Sequence, residues 1–309
     1  MDNEVVGGDD ARLARVAVLG GRGAVGRLFA GALADAGSEV VAIDRSPGDV
    51  QLDVAQPSTR LRELLADADA VVLALPEAAA LRALPVVLGA LQPGALLVDT
   101  LSVKGPFAQA VSVRVADASV EALSLNPMFA PALGFAGRPV LAVELAGGPR
   151  SHALLALVES WGARVVAVGA DEHDALAAAL QVAPHAALLA LGGALARLGV
   201  ELETLLPVAP PPFVALVALL ARIASGAPET YWDVQDANPR AAQARDALAT
   251  GLAELDAAAR AHDPAAFGAL LERVEAMLGE QREPLAELAA ALVARAAPAG
   301  PASPAGPSG

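Results

Sequence analysis

The 309-residue chain contains no cysteine, and this absence removes several kinds of chemistry at once. Disulfide bonds, zinc-thiolate centres and catalytic thiols all require cysteine and are therefore excluded. The length still allows one large domain or two medium domains, each with its own hydrophobic core.

Aromatic and basic residues are also scarce. Aromatic residues make up 3% of the chain, and 21 Lys and Arg stand against 35 Asp and Glu, for a net charge of −14. A nucleic-acid surface needs clustered cations and aromatic stacking platforms, so we expect no nucleic-acid partner. Lys104 is the only lysine. The excess of alanine and the use of arginine in place of lysine are typical of a GC-rich genome.

Long apolar runs are missing as well. No stretch of eighteen uninterrupted apolar residues occurs, and the best candidate, residues 213–221, is too short to cross a bilayer. Residues 1–10 are acidic and lack the apolar segment of a secretory signal. We therefore expect a cytoplasmic protein without a membrane partner. Residues 1–14 are predicted to be flexible, and residues 297–309, which are only Pro, Ala, Gly and Ser, are predicted to be a disordered tail.

Between residues 15 and 169, short apolar runs alternate with segments of helical pattern. The runs are four to six residues long and often β-branched, as expected for buried parallel strands. The predicted strands are 16–19, 40–43, 70–75, 95–98, 140–143 and 165–168, and the helices between them are 28–36, 59–66 and 77–91. This βαβ series predicts an α/β domain with a doubly wound sheet over residues 15–170.

Beyond residue 171 the strand pattern stops. Long Ala- and Leu-rich stretches follow at residues 175–198, 213–224, 240–262, 264–278 and 284–296. They predict an all-α domain over residues 171–296. Its apolar surface exceeds what a small helical unit buries alone, so we expect a homodimer.

A glycine-rich turn follows the first predicted strand. Gly21, Gly23 and Gly26 fill the pattern G-x-G-x-x-G, with a strand before and a helix after. Gly21 permits a tight turn, Gly23 allows the backbone to approach a pyrophosphate, and Gly26 allows close packing of helix on strand. A turn without a ligand is the alternative. The context favours a Rossmann dinucleotide site that also includes the intervening residues Arg22, Ala24 and Val25.

Asp44 ends the second strand, 23 residues beyond Gly21. At this position a carboxylate binds the ribose hydroxyls and repels a 2′-phosphate, which favours NAD. Arg45 and Ser46 follow directly and would hold such a phosphate, so NADP stays the less favoured alternative. Leu75 and Pro76 are also predicted to contact the cofactor.

Several segments, taken in order, resemble the prephenate/arogenate dehydrogenase family. They are the glycine motif at 18–29, Asp-Thr-Leu-Ser-Val-Lys at 99–104, Leu-Asn-Pro-Met-Phe-Ala-Pro at 125–131, Trp-Gly-Ala at 161–163, Glu-His-Asp at 172–174, Gln181 with His185, and Arg240 after Tyr-Trp-Asp at 231–233. The similarity extends from about residue 15 to residue 278. Members oxidise C4 of a cyclohexadiene by hydride transfer to NAD, while CO2 leaves C1 and the ring becomes aromatic.

The resemblance implies roles for individual residues. Ser102 would lie near the C4 substituent and the nicotinamide, and Lys104 would supply positive charge near the substrate or stabilise the site wall. His185 and Arg240, both from the helical domain, would contact the substrate, with the guanidinium of Arg240 suited to a carboxylate. The other predicted substrate contacts are Met128, Phe129 and Gln181.

Asn126 departs from the family pattern, which has histidine at this position. An asparagine amide donates and accepts hydrogen bonds but cannot accept a proton, and loss of a general base costs about 10²–10⁴-fold in rate. An amine at C4 removes this requirement, because a neutral nitrogen expels hydride without first losing a proton. We therefore hypothesise 4-amino-4-deoxyprephenate as substrate and 4-aminophenylpyruvate as product, a conversion found in antibiotic pathways.

Other functions are considered beside this one. A prephenate or arogenate dehydrogenase of tyrosine biosynthesis is the first alternative, and a non-catalytic dinucleotide-binding protein is the second. The β-hydroxyacid dehydrogenases and imine reductases place a catalytic lysine or another acid–base group in their helical domain. Since no lysine occurs there, they rank lower.

Several candidate residues also have a purely structural interpretation. His185 would be a satisfied core histidine, Lys104 a surface charge at a helix N-terminus, and Ser102 a helix N-cap. Adjacent residues 172–174 point in different directions on a helix, so they do not converge on an ion and no metal site is expected. They are interpreted as acids that favour a helix start.

Overall fold

The computed structural model describes residues 11–296, apart from the side chains of residues 113, 114, 116–118 and 296. The predicted flexibility of residues 1–10 and the predicted disorder of residues 297–309 lie outside the described residues. Within residues 1–14, Leu13 is buried and belongs to the same hydrophobic core as Val16 and Val18.

The N-terminal part folds around one eight-stranded sheet. In chain order the strands are β1 (Arg15–Leu19), β2 (Glu39–Asp44), β3 (Val50–Gln51), β4 (Ala70–Leu73), β5 (Leu96–Asp99), β6 (Glu121–Pro127), β7 (Pro139–Ala146) and β8 (Arg164–Ala167). Their order in the sheet is β3-β2-β1-β4-β5-β6-β7-β8, and every pair is parallel except β6 with β7. The predicted doubly wound α/β fold is confirmed.

Strand β6 was not predicted, although it lies in the middle of the sheet. Its sequence, Glu-Ala-Leu-Ser-Leu-Asn-Pro, contains no continuous apolar run, because Glu121, Ser124 and Asn126 interrupt it. The polar side chains are nevertheless buried because each has a partner. The Glu121 carboxylate, for example, accepts hydrogen bonds from the N–H groups of Arg150 and Ser151.

Helices cover both faces of the sheet and form the C-terminal part. They are α1 (Ala24–Asp35), α2 (Thr59–Ala66), α3 (Glu77–Leu88), α4 (Gly105–Ala118), α5 (Pro149–Ser160), α6 (Ala170–Ala177), α7 (Ala183–Leu198), α8 (Leu202–Leu205), α9 (Pro211–Ala224), α10 (Pro228–Asp236), α11 (Ala241–Arg260), α12 (Pro264–Leu278) and α13 (Arg282–Ala296). Helix α5 was not predicted, and α4 was expected only as a helix that starts near Lys104.

Two hydrophobic cores lie on opposite faces of the sheet, because side chains alternate along each strand. One core contains Leu19, Leu73 and Leu97, together with apolar residues of α2, α3 and α4. The other contains Val18 and Val72 with residues of α1 and α5. Both faces of the central strands are therefore buried, and chemistry is left to the loops at the strand ends.

The chain divides into two compact units. The first contains residues 11–178 together with Trp232–Arg240, and the second contains Ala179–Tyr231 and residues 241–296. The division falls after Ala178, whereas residue 170 was expected, and Trp232–Arg240 returns to the first unit. Hydrogen bonds explain both differences: the Asp174 carboxylate accepts the N–H of Gly105, and the Asp233 carboxylate accepts the N–H of Glu77.

The second unit is helical throughout its described residues. A π-helical segment, Ala178–Val182, precedes α7. Pro184 accounts for it, because proline has no N–H and its ring displaces the carbonyl of the preceding turn. By length and composition alone, the helical stretch Ala170–Leu198 is long and apolar enough to cross a membrane, but the core helix of a soluble protein meets the same criterion, so this is weak evidence for a membrane span.

Candidate active site

The glycine loop joins β1 to α1, and each of its glycines is present for a different steric reason. A Cβ on Gly26 would lie 2.1 Å from the carbonyl oxygen of Gly20, and a Cβ on Gly21 would lie 2.6 Å from the Cβ of Ala42. These two glycines are therefore required by the protein itself. A Cβ on Gly23 would meet only the Gly20 oxygen at 3.2 Å and the Ala74 oxygen at 4.0 Å. Gly23 is thus less tightly enclosed by the protein than Gly21 and Gly26, and the absence of a side chain at the start of α1 fits the close approach of a pyrophosphate.

Gly20 belongs to the same loop but was not predicted as a site residue. Its φ is +83°, and a Cβ there would lie 2.1 Å from the Ala74 carbonyl oxygen. The first glycine of the doublet therefore makes the turn, while Gly21 allows packing against β2. Ala24 and Val25 form the first turn of α1, and Val25 packs on the second core.

Asp44 connects the end of β2 to the glycine loop. Its carboxylate accepts the N–H of Arg22 at 3.0 Å and the N–H of Ser46 at 2.9 Å. Each carboxylate oxygen keeps a further lone pair, so the predicted contact to ribose hydroxyls is compatible with this geometry. The Arg22 side chain lies over Gly48, and Arg45 is exposed at the same strand end. The loop and Asp44 together fit NAD.

Leu75 and Pro76 follow β4. Leu75 packs against the first core and lies beside Gly20, and Pro76 is the N-cap of α3. Both residues therefore stand at the carboxyl end of the sheet, where dinucleotides bind in this type of fold.

Lys104 is completely buried and joins two strands. Its Nζ donates hydrogen bonds to Asp99 Oδ1 at 2.7 Å and to the Leu125 carbonyl oxygen at 2.9 Å. Asp99 also accepts hydrogen bonds from the Ser124 hydroxyl and the Leu101 N–H. Burial lowers the pKa of Lys104, and the Asp99 carboxylate opposes that effect. The interpretation of Lys104 as a surface charge is wrong: it holds the ends of β5 and β6 together.

Asn126 is buried on β6, and its amide contacts a histidine that the sequence analysis did not select. Asn126 Nδ2 lies 2.9 Å from His173 Nε2, and His173 Nδ1 lies 2.9 Å from Asp174 Oδ1. The Asp174 carboxylate also accepts the N–H groups of Lys104 and Gly105 at 2.8 and 2.9 Å. The interpretation of His173 and Asp174 as residues that only favour a helix start is therefore wrong, because both side chains point inward.

The hydrogen bonds among Asn126, His173 and Asp174 determine the protonation states of these side chains. Although burial opposes ionisation of Asp174, the hydrogen bonds from His173, Lys104 and Gly105 lower its pKa. Burial lowers the pKa of His173, and the Lys104 charge acts in the same direction. A neutral His173 with its proton on Nδ1 donates to Asp174 and accepts from the Asn126 amide at Nε2. Asn126 is thereby oriented, and its Oδ1 points away from His173.

Ser102 is half-buried, three residues beyond Asp99. Helix α4 has Lys104 as its N-cap, and the backbone N–H groups there are bound by Asp174. The interpretation of Ser102 as the helix cap is thus wrong, and its hydroxyl stays a candidate for the reaction site.

Met128 and Phe129 directly follow the Asn-Pro of β6. The backbone N–H of Met128 donates to the Pro139 carbonyl, and the ring of Phe129 packs edge-on against Phe135 with centroids 5.7 Å apart. Phe129 therefore has a packing role in the second core. Contact of either residue with substrate stays a prediction.

Glu77 is a second residue that the sequence analysis missed. It is 6% exposed at the start of α3, its N–H donates to Asp233 Oδ2 at 2.9 Å, and its Oε2 has no hydrogen-bond partner in the described structure. Burial, followed by the negative charges of Asp233 and Asp174, raises the pKa of Glu77 to about 7. The only signal in the sequence was an acid directly after the Leu-Pro that follows β4.

Arg240 lies in the first unit, although it was expected in the helical domain. Its N–H donates to Asn238 Oδ1 at 2.8 Å, and Asn238 Nδ2 donates to the Asp174 carbonyl oxygen at 3.0 Å. The guanidinium is exposed. Arg240 is therefore linked through Asn238 to the helix that carries His173.

Gln181 and His185 belong to the helical unit. Gln181 Oε1 and His185 Nδ1 are buried and lack hydrogen-bond partners in the described structure. The His185 ring packs edge-on against Tyr231 at 5.1 Å, and burial, with the Arg222 charge, lowers its pKa. His185 is thus not a satisfied core histidine. Its action on substrate, like that of Gln181, stays a prediction.

The doubly wound sheet, the glycine loop and the polar cluster at the carboxyl ends of β4, β5 and β6 define a dinucleotide-dependent oxidoreductase. Comparison with known proteins agrees with this class. Residues 169–273 match the model of the prephenate dehydrogenase dimerization domain, and residues 3–100 match that of the NAD-binding domain of D-isomer specific 2-hydroxyacid dehydrogenases.

The chain is 46% identical over 285 residues to the 4-amino-4-deoxyprephenate dehydrogenase of Streptomyces pristinaespiralis, covering 90% of this chain and 96% of that protein. It is also 31% identical over 223 residues to the T-protein of Enterobacter agglomerans, covering 71% and 55% of the two chains. The chain belongs to the prephenate dehydrogenase family and is an NAD-dependent dehydrogenase. The predicted family, enzyme class and cofactor are confirmed.

Among solved structures, prephenate dehydrogenase from Aquifex aeolicus, in complex with hydroxyphenyl propionate and NAD+, is similar in fold. Its TM-score is 0.67 at 18% identity, covering 86% of this chain and 97% of that chain. At such identity the likeness concerns the fold alone.

Proposed function

We propose that this enzyme catalyses the NAD-dependent oxidative decarboxylation and aromatisation of 4-amino-4-deoxyprephenate to 4-aminophenylpyruvate. The observation that carries the proposal is the state of Asn126, a neutral amide held by a neutral His173 where the family resemblance predicts a proton-accepting histidine. The identity of 46% to a 4-amino-4-deoxyprephenate dehydrogenase supports it.

Bound NAD supplies the hydride acceptor. The protein's own residues orient the substrate against it: Asn126 Oδ1 accepts an N–H hydrogen bond from the C4 amine, and Ser102 lies at the adjacent strand end. Neither group takes up a proton during hydride loss, because the amine nitrogen supplies its own lone pair. Arg240 is proposed to bind a substrate carboxylate through its guanidinium fork.

Steady-state kinetics of the purified enzyme with NAD test the proposal. We expect kcat/KM for 4-amino-4-deoxyprephenate to exceed that for prephenate by at least about 10²-fold, the lower range for a missing general base. Efficient turnover of prephenate with none of the amine substrate would instead identify a tyrosine-pathway dehydrogenase. NAD binding without turnover of prephenate, arogenate or the amine would identify a non-catalytic protein.

The proposal includes a homodimer formed through the helical part of the chain, in a cytoplasmic enzyme of antibiotic biosynthesis. The match to a dimerization domain over residues 169–273 supports this arrangement. Most of the exposed large apolar side chains in the described residues also lie beyond residue 179. The organisation into an NAD-binding domain and a helical substrate and dimerisation domain belongs to the same proposal.

A further inference from the structure

An amine substrate creates a requirement that the residues discussed so far do not meet. In neutral water an alkyl amine is an ammonium ion, which has no lone pair with which to expel hydride. One proton must therefore leave the nitrogen before C4 reacts. Asn126 cannot accept it. His173 is also unsuitable, because its Nε2 already accepts from Asn126 and its Nδ1 proton is bound by Asp174.

Glu77 lies at the sheet edge where this proton would be released. In the parallel sheet, Leu73 of β4 is opposite Asp99 of β5, which is opposite Ser124 of β6. Glu77 comes four residues after Leu73, and Ser102 and Asn126 come three and two residues after Asp99 and Ser124. All three side chains therefore belong to the same carboxyl-terminal edge, where the cofactor binds.

The Glu77 carboxyl differs from the other buried acids of this unit. Asp99, Glu121 and Asp174 have hydrogen-bond donors on both carboxylate oxygens. Glu77 Oε2 is buried and has no partner in the described structure. A buried polar atom without a partner costs free energy, so Glu77 Oε2 is available to pair with a donor group of a bound ligand.

The charges around Glu77 favour a cation. The groups that act on it electrostatically are Asp233 and Asp236 on α10, Asp174 on α6, Asp99 on β5, and Lys104 before α4. Lys104 is the single cation among these five groups, and it is bound to Asp99. A positively charged nitrogen next to Glu77 would therefore be stabilised, whereas a neutral hydroxyl would gain a hydrogen bond but none of the attraction to the surrounding negative charges.

We propose that Glu77 binds the ammonium group at C4 of the substrate and accepts one of its protons. This inference rests on the proposed function. The N–H bond breaks, an O–H bond forms at Oε2, and the electron pair stays on nitrogen as the lone pair that later expels hydride. The two charges cancel, which a buried site favours over an unsolvated ion pair. The proton passes to solvent when the product leaves.

The raised pKa of the Glu77 carboxyl suits it to accept a proton from the ammonium group. A general base works best when its pKa lies near the operating pH, and burial with the surrounding carboxylates raises the pKa of Glu77 to about 7. An ordinary exposed glutamate would be a much weaker base for an ammonium ion.

Binding of two saturated analogues tests the first half of the proposal without turnover. With NADH present, calorimetry compares 4-aminocyclohexanecarboxylate with 4-hydroxycyclohexanecarboxylate. We expect the wild-type enzyme to bind the amine at least about 10-fold more tightly, as a hydrogen bond to a charged group implies. The isosteric variant Glu77→Gln should lose this preference and keep its affinity for NADH. Retention of the preference in Glu77→Gln would overturn the proposal.

Kinetics test proton transfer. Glu77→Gln should lower kcat/KM for 4-amino-4-deoxyprephenate by about 10²-fold or more, with a partial recovery at alkaline pH where the free amine is present in solution. Glu63→Gln, an exposed substitution on α2, is the matched control and should change nothing. An unchanged kcat/KM and pH profile in Glu77→Gln would refute the role of Glu77. Failure of wild-type enzyme to use the amine substrate would refute the proposed function instead, while the analogue measurements would still report on Glu77.

Discussion

Single side chains account for the chemistry that distinguishes this enzyme. Asn126 was found from its motif, but His173 and Asp174 were missed, since residue spacing along a helix does not tell which face is turned inward. Glu77 was missed for a related reason. An acid at a helix start has an ordinary explanation in the helix dipole, and only the structure reveals that this one is buried without a partner on Oε2.

Asn126→His restores the proton acceptor that the family resemblance predicts. We expect kcat/KM for prephenate to rise by at least about 10-fold, because a histidine takes up the hydroxyl proton as hydride leaves. The preference for the amine substrate should fall correspondingly. Steady-state kinetics with both substrates measure this change, and Asn126→Gln, which has no basic group, is the control. Equal prephenate rates in the two variants would show that position 126 does not limit the reaction.

We expect the free energy of unfolding to depend on pH because of His173. Its pKa is lowered in the folded protein, so the unfolded chain binds the additional proton as pH falls below about 6.5. Stability contributed by neutral His173 is therefore complete above that pH and decreases toward its folded pKa. His185 acts in the same direction, whereas Glu77, with its raised pKa, contributes stability that is complete below about pH 4.5 and is lost as the pH rises to about 7.

The difference between wild type and His173→Gln isolates this contribution. Relative to the variant, wild-type enzyme should lose unfolding free energy as the pH falls from 6.5 to 5.5, by at most about 1 kcal/mol, which is the limit for one proton bound only by the unfolded chain. Urea unfolding at several pH values measures it. Parallel curves for the two proteins would mean that His173 titrates alike in the folded and unfolded states.

Secondary-structure elements were predictable where their patterns were simple. The parallel strands β1, β2, β4 and β5 have continuous apolar runs, and their positions were found from sequence. Strand β6 was not, because it carries Glu121, Ser124 and Asn126 into the interior. Those side chains are tolerated through partners from distant segments, such as Arg150 N–H and the Asp99 carboxylate, which a local pattern does not contain.

The loop between β1 and α1 yields a prediction with an internal control. Gly23→Ala places a methyl group 3.2 Å from the Gly20 carbonyl oxygen, a contact that a shift of a few tenths of an ångström relieves, so the unfolding free energy should fall much less than in Gly26→Ala, while NAD affinity falls by about 10-fold or more. Gly26→Ala places its methyl group against the Gly20 carbonyl oxygen and should lower the unfolding free energy by about 1–3 kcal/mol. Fluorescence titration with NADH and thermal unfolding separate the two effects. Unchanged NADH binding in Gly23→Ala would remove this residue from the cofactor site.

For the whole molecule, the sequence predicts two compact units, but it does not predict which segments of the chain each unit contains. The segment Trp232–Arg240 returns to the first unit because Asp233 binds the Glu77 N–H and Asn238 binds the Asp174 carbonyl oxygen. These contacts span more than sixty residues of sequence. No periodicity within α10 could have indicated them, so Arg240 was assigned to the helical domain.

The helical unit carries exposed apolar stripes that a partner subunit would cover. On α11 the stripe is Leu248, Leu252 and Leu255, on α12 it is Phe267, Leu271 and Val274, and on α13 it is Leu285, Leu288 and Leu292. Each set has the spacing of one helix face, and apolar surface of this extent is typical of an interface. The proposed homodimer would bury these faces.

A charge within the α11 stripe tests the dimer. Leu252 is 67% exposed in the single chain, so Leu252→Glu should leave the fold intact while a carboxylate in the interface raises the dimer dissociation constant by at least about 10-fold. Sedimentation equilibrium measures the constant, and NADH binding reports on the first unit. Leu133→Glu, at a residue 56% exposed in that first unit, is the matched control and should remain as dimeric as wild type. If Leu252→Glu dimerises like the control, the interface does not include the exposed face of α11, and the proposed dimer through this part of the helical unit is wrong.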